Sequence, residues 1–403
     1  MKKAEKSAFF WYNERMYSVK IGNNAEAHDQ FLSQEKLANL LQTSNWGKIK
    51  DSWRSEIISF ENENQEIVAS FLVLLRPLPL GFTMLYVPRA ILGMQEEKLL
   101  KFILDELKKY GKQNKALFVK FDPAVRFDES AELRENLVKL GAKWSGRTAD
   151  MHETIQPRFN AVIHAEDFSE ENLDKKTKQF LRKARNSAPE ITFGGAELVE
   201  EFAALMKKTE ARKNVSLRNA EYYTKLLETY GKSAFITLVK YDMGKVLAGH
   251  QSNLTKTQDN LTKAKNEKRV KVLNDELAII EKNIAEVQAM IDVHGTLIPV
   301  AGTLTIDAFG NAETLYAGTD TDFQKYYPSY LAWFETVQHA FDEGAKTLNM
   351  GGLENSLSEN DGLLKFKKHF NPRIEEYVGE FDLPVNKLLF APAMWAYKKR
   401  KMS

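Results

Sequence analysis

The chain has 403 residues, enough for two or three ordinary domains, and 43% of them are hydrophobic, which excludes a disordered polypeptide. A net charge of +2 gives no bulk attraction for nucleic acid, so any such site has to be a local basic patch. The absence of cysteine excludes thiol catalysis, zinc thiolates and disulfides, and fits a reducing compartment.

The stretch Met1 to Tyr17 lacks the apolar core of a signal peptide. No run of about 18 apolar residues follows, so the sequence predicts a cytoplasmic protein with no membrane span. A strand is expected over Ile67–Leu75, a turn over Pro77–Gly81 and a second strand over Phe82–Val87. Gln95–Tyr110 reads as a helix with Leu99, Leu100, Ile103, Leu104 and Leu107 on one face, and Gly111 stands where a helix C-cap belongs. A strand, Ala116–Phe121, then runs into Asp122-Pro123. Further on, Leu173–Ser187 reads as a helix ended by Pro189. Its Phe180, Leu181 and Ala184 can pack inward while Lys175, Lys176, Lys178, Arg182, Lys183 and Arg185 spread over the other side. This is the strongest local positive charge in the chain. A solvated face and a phosphate-contacting face both fit it.

The hairpin, helix and strand pattern then recurs. Val246–Gly249 is expected to begin a strand that an insertion interrupts and Pro299–Phe309 resumes. Gly310-Asn311 is the turn, Thr314–Ala317 the partner strand, Ser329–Glu343 the helix and Thr347–Met350 the closing strand. This order is the core of acetyltransferase-type (GNAT) folds, and two copies suggest duplication. The insertion places Leu273, Leu277, Ile280, Ile284, Val287 and Ile291 at steps of 4, 3, 4, 3 and 4, an a/d heptad seam. With a weaker stripe at Leu254, Leu261 and Ala264 it predicts an antiparallel helical hairpin, a binding arm or a spacer. The fold class expected is α/β (α+β): two tandem GNAT-like subdomains with an inserted antiparallel coiled-coil arm. The boundaries expected are 1–157 with 380–403 for the first subdomain, 158–249 with 296–379 for the second, and 250–295 for the arm.

Standard catalytic signatures are absent: no G-x-S-x-G elbow, no Walker loop, no G-x-G-x-x-G. His152-Glu153 begins like a zincin motif, but Gln156 stands where the second histidine is needed. The loop that cradles the acetyl-CoA pyrophosphate is missing from both copies, which counts against an acyl-CoA N-acyltransferase. Neither a metal nor another cofactor is expected.

Several fragments nevertheless resemble one family. They are Leu41–Lys50, Tyr86–Arg89, Phe121–Pro123, Trp144–Gly146, Thr154–Arg158, Arg218 with Tyr222, Leu315–Gly318, Gly362–Phe370 with Asn371-Pro372, and Glu376–Phe381. As an ordered set they resemble the Fem/MurM aminoacyltransferases that build peptidoglycan cross-bridges, and look most like the MurM-like branch. The resemblance implies aminoacyl-tRNA as donor. It implies, as acceptor, the side-chain amine of the third stem-peptide residue, on lipid II or on UDP-MurNAc-pentapeptide, with alanine or serine transferred. Lys50, Asp122, Arg218, Tyr222 and Tyr316 fall on positions that contact the precursor in that family, and Phe366 and Lys367 on the pair at the reaction centre.

The chemistry agrees. The donor is an activated ester, so no enzyme nucleophile is required. The acceptor ammonium, with a pKa near 10.4, has to lose a proton, and the tetrahedral oxyanion has to be stabilised. Lys367 suits tRNA phosphate or the oxyanion, and Phe366 suits a platform for the terminal adenine. Asp122 suits hydrogen bonds from the precursor or the ammonium proton. Lys50 and Arg218 suit diphosphate or carboxylate. Phosphate contact beyond the centre is assigned to Lys175, Lys176, Lys178, Arg182, Lys183 and Arg185. The basic tail Lys398–Lys401 after Trp395 and Tyr397 suits either solvent or an anionic inner leaflet. The rival reading is a non-catalytic RNA- or partner-binding scaffold of the same fold.

Overall fold

The computed structural model describes residues 16–402 except 23, 93–95 and 214–215. Nearly all of the stretch Met1 to Tyr17 and the expected helix start at Gln95 therefore lie outside the described residues. The chain divides into two compact units. Unit 1 holds the residues up to Phe168, Ile306–Glu313 and Ala340 onward; unit 2 holds Ser169–Thr305 and Thr314–His339.

Unit 1 is built on a sheet of seven strands. They are β1 (Tyr17–Ile21), β2 (Arg54–Asn62), β3 (Ile67–Pro77), β4 (Thr83–Ala90), β5 (Ala116–Pro123), β6 (Lys143–Trp144) and, from the far end of the chain, β14 (Phe381–Pro384). Their order is β1-β2-β3-β4-β5-β14-β6. β3 and β4 form an antiparallel hairpin, and β5 lies parallel to β4. The connection is the helix Glu97–Gln113 (α3 below; α1 is Ala25–Gln34 and α2 is Ser44–Ile49). Its apolar face, Leu99, Leu100, Ile103, Leu104 and Leu107, is buried with Phe71, Val87, Val119 and Phe381. Gly111 does not cap α3. It sits inside it, and a Cβ there would lie 2.9 Å from Val385 Cγ2, so the missing side chain admits the C-terminal segment. Asn114 is the C-cap.

The motif Leu41–Lys50 largely packs. Gln42 and Trp46 are buried, and Gln42 Nε2 donates to Pro88 O at 2.5 Å. Lys50 emerges as the C-cap of α2. Unit 1 also holds the α4 helix (Ala131–Lys139), β7 (Phe159–His164), β12 (Thr347–Leu353) and β13 (Arg373–Glu376), ordered β13-β7-β12, with the first residues of β11 (Asn311–Thr319) parallel to β12.

Unit 2 contains α5 (Lys175–Arg185), β8 (Pro189–Gly194), α6 (Val199–Lys213), α7 (Ala220–Tyr230), β9 (Ala234–Asp242), α8 (Met243–Lys263), α9 (Glu267–His294), most of β10 (Leu297–Ala308) and β11, and most of α10 (Pro328–Asp342). Its strands run β11-β10-β9-β8. The second hairpin, helix and strand set is therefore β10, β11, α10 and β12. The duplicated GNAT-like order expected from the sequence is present, with the helical hairpin inserted after β9.

Val246–Gly249 corrects the expectation: it is helical, part of α8, and the interrupted strand is β9, which ends at Asp242. Asp242 Oδ1 accepts the Lys245 amide at 3.0 Å and so starts the helix one turn before Val246. Leu273, Ile280 and Val287 are buried at seven-residue steps, as a coiled-coil seam requires. α5 is shorter than Leu173–Ser187 because Asp174 caps it, accepting the Thr177 amide at 2.7 Å. Among the described residues no helix is long and apolar enough to cross a membrane.

Candidate functional site

Unit 1 contains two polar hollows. The first is a cleft of about 620 Å³ lined by Lys50, Trp53, Arg76, His152, Thr154, Ile155 and Tyr397. Its cations stand against aromatic walls. Lys50 Nζ lies 4.7 Å from the centre of the Trp46 ring, and the Arg76 guanidinium 5.3 Å from Trp53 and 5.8 Å from Tyr397. Among the described residues Arg76 has no ion-pair partner, so its charge is available to an anion.

The second is a cavity of about 550 Å³. Arg89, Gln156, Asn160, Glu313, Asn349, Gly351, Gly352, Glu375 and Tyr377 are among its walls. The segment Thr154–Pro157 supplies its first two residues to the cleft and its last two to the cavity. Gln156 Nε2 donates to Tyr86 Oη at 3.3 Å.

Arg89 organises the cavity wall. Its backbone is left-handed, with φ 44°, and its guanidinium lies 3.9 Å from the centre of the Tyr377 ring. Nη2 donates to Pro157 O at 2.9 Å. Behind it is Asp122, 1% exposed at the end of β5. Asp122 Oδ1 accepts the Arg89 amide at 3.1 Å, and Oδ2 lies 3.7 Å from Arg89 Nε. Burial pushes the Asp122 carboxyl up to about 7, with Glu380 adding to the rise and Arg89 opposing it. Burial also raises Glu313 on the cavity wall, again against Arg89. His164 lies 3.2 Å from Glu375, which also accepts from the Tyr377 hydroxyl at 3.3 Å.

Lys367 sits on the short helix α11 (Gly362–Lys368), whose N-cap Asp361 accepts the Leu363 amide at 2.8 Å. Lys367 is 4% exposed, and its ammonium donates to the carbonyls of Gly351 at 2.9 Å and Gly352 at 2.8 Å. These are the two glycines on the cavity wall. β12 breaks register between Asn349 and Gly352, and Gly351 takes φ 87°. A Cβ on Gly352 would lie 2.4 Å from Pro157 Cγ, so only glycine lets this backbone pass. Phe366 is half-buried, edge-on to Phe370 at 5.5 Å.

Unit 2 assembles the other residues singled out from sequence. The Arg218 guanidinium lies 4.9 Å from the Tyr222 ring centre, and Tyr222 meets Tyr316 edge-on at 6.3 Å. Tyr223, 5.1 Å from Tyr316, is fully buried; burial pushes its hydroxyl up to about 12. On α5, Lys175, Lys176, Arg182, Lys183 and Arg185 are exposed, with Lys178 half-buried. Arg185 pairs with Glu170 at 2.7 Å, Lys178 Nζ donates to Glu171 O at 2.7 Å, and Lys183 Nζ lies 5.2 Å from the Tyr327 ring.

The structure thus groups Lys50 with Arg76, and Arg218 with Tyr222 and Tyr316. It puts Asp122 behind a cavity wall rather than on it. Arg76, Arg89, Tyr377, Glu313 and Glu375 were not singled out as site residues from the sequence. For Arg89 and Tyr377 the signal was there, since both lie inside fragments that carried the resemblance.

A model of the FemAB family matches residues 24–398. The lipid II:glycine glycyltransferase of Staphylococcus haemolyticus is 28% identical over 394 residues, spanning 92% of this chain and 94% of that protein. Its counterpart in Staphylococcus aureus strain USA300 is 25% identical over 389 residues, spanning 91% and 92%. The crystal structure of FemX superposes with a TM-score of 0.77 at 23% identity, covering 94% of this chain and all of that one, and shares the fold.

Proposed function

The chain belongs to the FemAB family, and on that premise we propose that it is an aminoacyltransferase that moves an amino acid from aminoacyl-tRNA to the stem-peptide amine of a lipid-linked cell-wall precursor. The relatives named above act on lipid II. We take lipid II rather than the UDP-linked precursor as acceptor, and alanine or serine, following the MurM-like motifs, as the amino acid. The glycine of the relatives' names is the competing outcome.

The observation that carries the reading is the pair of hollows that share Thr154–Pro157 as a wall. The cleft with Lys50 and Arg76 suits the precursor's diphosphate, two cations backed by aromatic rings. The cavity with Arg89, Glu313 and Glu375 offers both signs of charge, as an aminoacyl ester with its free ammonium requires. Arg218, Tyr222 and Tyr316 are assigned to the precursor and the α5 cations to tRNA phosphate.

In the reaction the acceptor ammonium first loses a proton, and the cavity-wall carboxylates Glu313 and Glu375 are the acceptors we assign, with Asp122 holding Arg89 in place behind them. The amine attacks the ester carbonyl, a C–N bond forms, and the C–O bond to the tRNA ribose breaks. The ribose oxygen leaves with one proton. Lys367 holds the Gly351 and Gly352 carbonyls and so fixes the shape of the cavity wall beside the ester.

Transfer of labelled amino acids from a mixed pool of charged tRNA, with each precursor offered separately, tests the reading. Lys367→Ala is expected to lower transfer about 10²-fold with precursor binding largely kept. If the wild-type protein transfers nothing from any charged tRNA to either precursor, the chain is a binding scaffold instead.

A further inference from the structure

We propose that one edge of the unit 1 sheet docks on an anionic phospholipid bilayer, holding the Lys50 and Arg76 cleft at the leaflet that carries the precursor. This rests on the reading above that the precursor is lipid-linked.

The edge is defined by strand ends. β3 ends opposite the start of β4 (Pro77 with Thr83), β4 starts beside β5 (Thr83 with Ala116), and β14 ends beside the same part of β5 (Pro384 with Phe118). The loops at these ends carry apolar side chains in water. Leu80, between β3 and β4, is 93% exposed. Its backbone is left-handed, φ 63°, a conformation that a leucine adopts at a cost and that turns its side chain away from the sheet's core. Leu388, in the turn after β14, is 90% exposed, with Leu389 beside it. Their amides both donate to Asn386 Oδ1, at 3.2 and 3.0 Å, which fixes the turn. The Val385 and Asn386 amides both donate to Leu117 O, which ties this turn to the start of β5. The C-terminal helix, α12 (Phe390–Met402), turns Phe390 and Tyr397 inward onto Phe118 and leaves Trp395 68% exposed.

Around these apolar tips stand exposed cations: Arg54, Lys112, Lys115, Lys143, Lys387 and Lys399. Among the described residues, Lys112, Lys115, Lys143 and Lys387 have no ion-pair partner. Lys143 and Lys399 instead lie 4.5 and 5.2 Å from the Phe390 and Trp395 rings. Aliphatic tips ringed by uncompensated cations and an exposed tryptophan match an interfacial docking surface. The tips enter the headgroup boundary and the cations meet anionic lipid. The placement also serves the site: Arg76 and Tyr397 line the precursor cleft, and they belong to β3 and α12, two of the elements that build the edge. A diphosphate held at Arg76 is thereby held close to the lipid surface.

The test is flotation of the full-length protein with vesicles of equal parts phosphatidylglycerol and phosphatidylcholine, and with phosphatidylcholine alone. Wild type is expected to partition onto the anionic vesicles, less so in high salt. Leu80→Glu with Leu388→Glu is expected to weaken this about tenfold or more. Leu80→Ser with Leu388→Ser, which leaves the charge unchanged, is expected to weaken it less. Both pairs are exposed, so thermal melting should be unchanged, and transfer to a detergent-solubilised precursor should match wild type. Equal vesicle binding by wild type and the glutamate pair overturns the docking edge. So does no binding by wild type, or a loss of tRNA binding in the glutamate pair with vesicle binding intact. None of these touches the transferase reading, which falls only if the detergent assay shows no transfer.

Discussion

The burial that holds Asp122 behind Arg89 also sets how the protein responds to pH. Its folded pKa of about 7 lies above the ordinary 3.8 of an unfolded aspartate. Between those values the folded state binds the extra proton. The contribution to stability is present in full below about 4 and is lost as pH rises through about 7. Asp122→Asn removes that titration. The variant is expected to gain stability over wild type progressively between about pH 4 and 7, with a constant difference above, as read from urea midpoints. The residues that answer to one another here were only half legible in the sequence. Arg89 and Tyr377 each lie in a recognisable fragment, but 288 positions of chain separate them, and only the folded sheet shows the cation on the ring. Lys367 reads as an available cation in a lysine cluster. Its commitment to two carbonyls depends on a β-bulge and a glycine at positive φ, which no local pattern announces.

Elements were legible wherever a period ran long enough. The helix after β4, the duplicated hairpin, helix and strand order, and the heptad seam of the arm are all visible as spacing. What failed was punctuation decided by tertiary contact. Gly111 reads as a stop, yet the helix runs through it because Val385 needs the space. Val246–Gly249 reads as a strand start, yet Asp242 had already capped a helix. The arm shows how much a seam carries. α8 and α9 bury Leu273, Ile280 and Val287, while most of the residues between them are exposed. Leu273→Ala is expected to cost about 2–5 kcal/mol. The arm being a local unit, the change should appear as faster amide exchange over 243–294, with the sheet of unit 1 unaffected.

At the scale of the molecule, a net charge of +2 means that binding of a polyanion has to depend on patches. Replacing Lys175 and Arg182 together by glutamine is expected to weaken tRNA binding for every tRNA alike. The slope of log affinity against log salt should fall by about 0.7–0.9 for each phosphate contact removed. Retained affinity and slope would leave the α5 face as solvated charge. The sheet of unit 1 has a different whole-chain property. β14 pairs with both β5 and β6, and among the described residues the buried Lys120 on β5 finds its counter-charges in Glu380, just before β14, at 2.7 Å and in Asp382 on β14 at 2.8 Å. Burial alone would lower the Lys120 pKa; those two carboxylates hold it above its ordinary value. On the ribosome, then, the first sheet to be translated waits for its last strand. Until that strand emerges, an ammonium destined for the interior has no anion to meet it, and the nascent protein cannot lock its own beginning before its end is made.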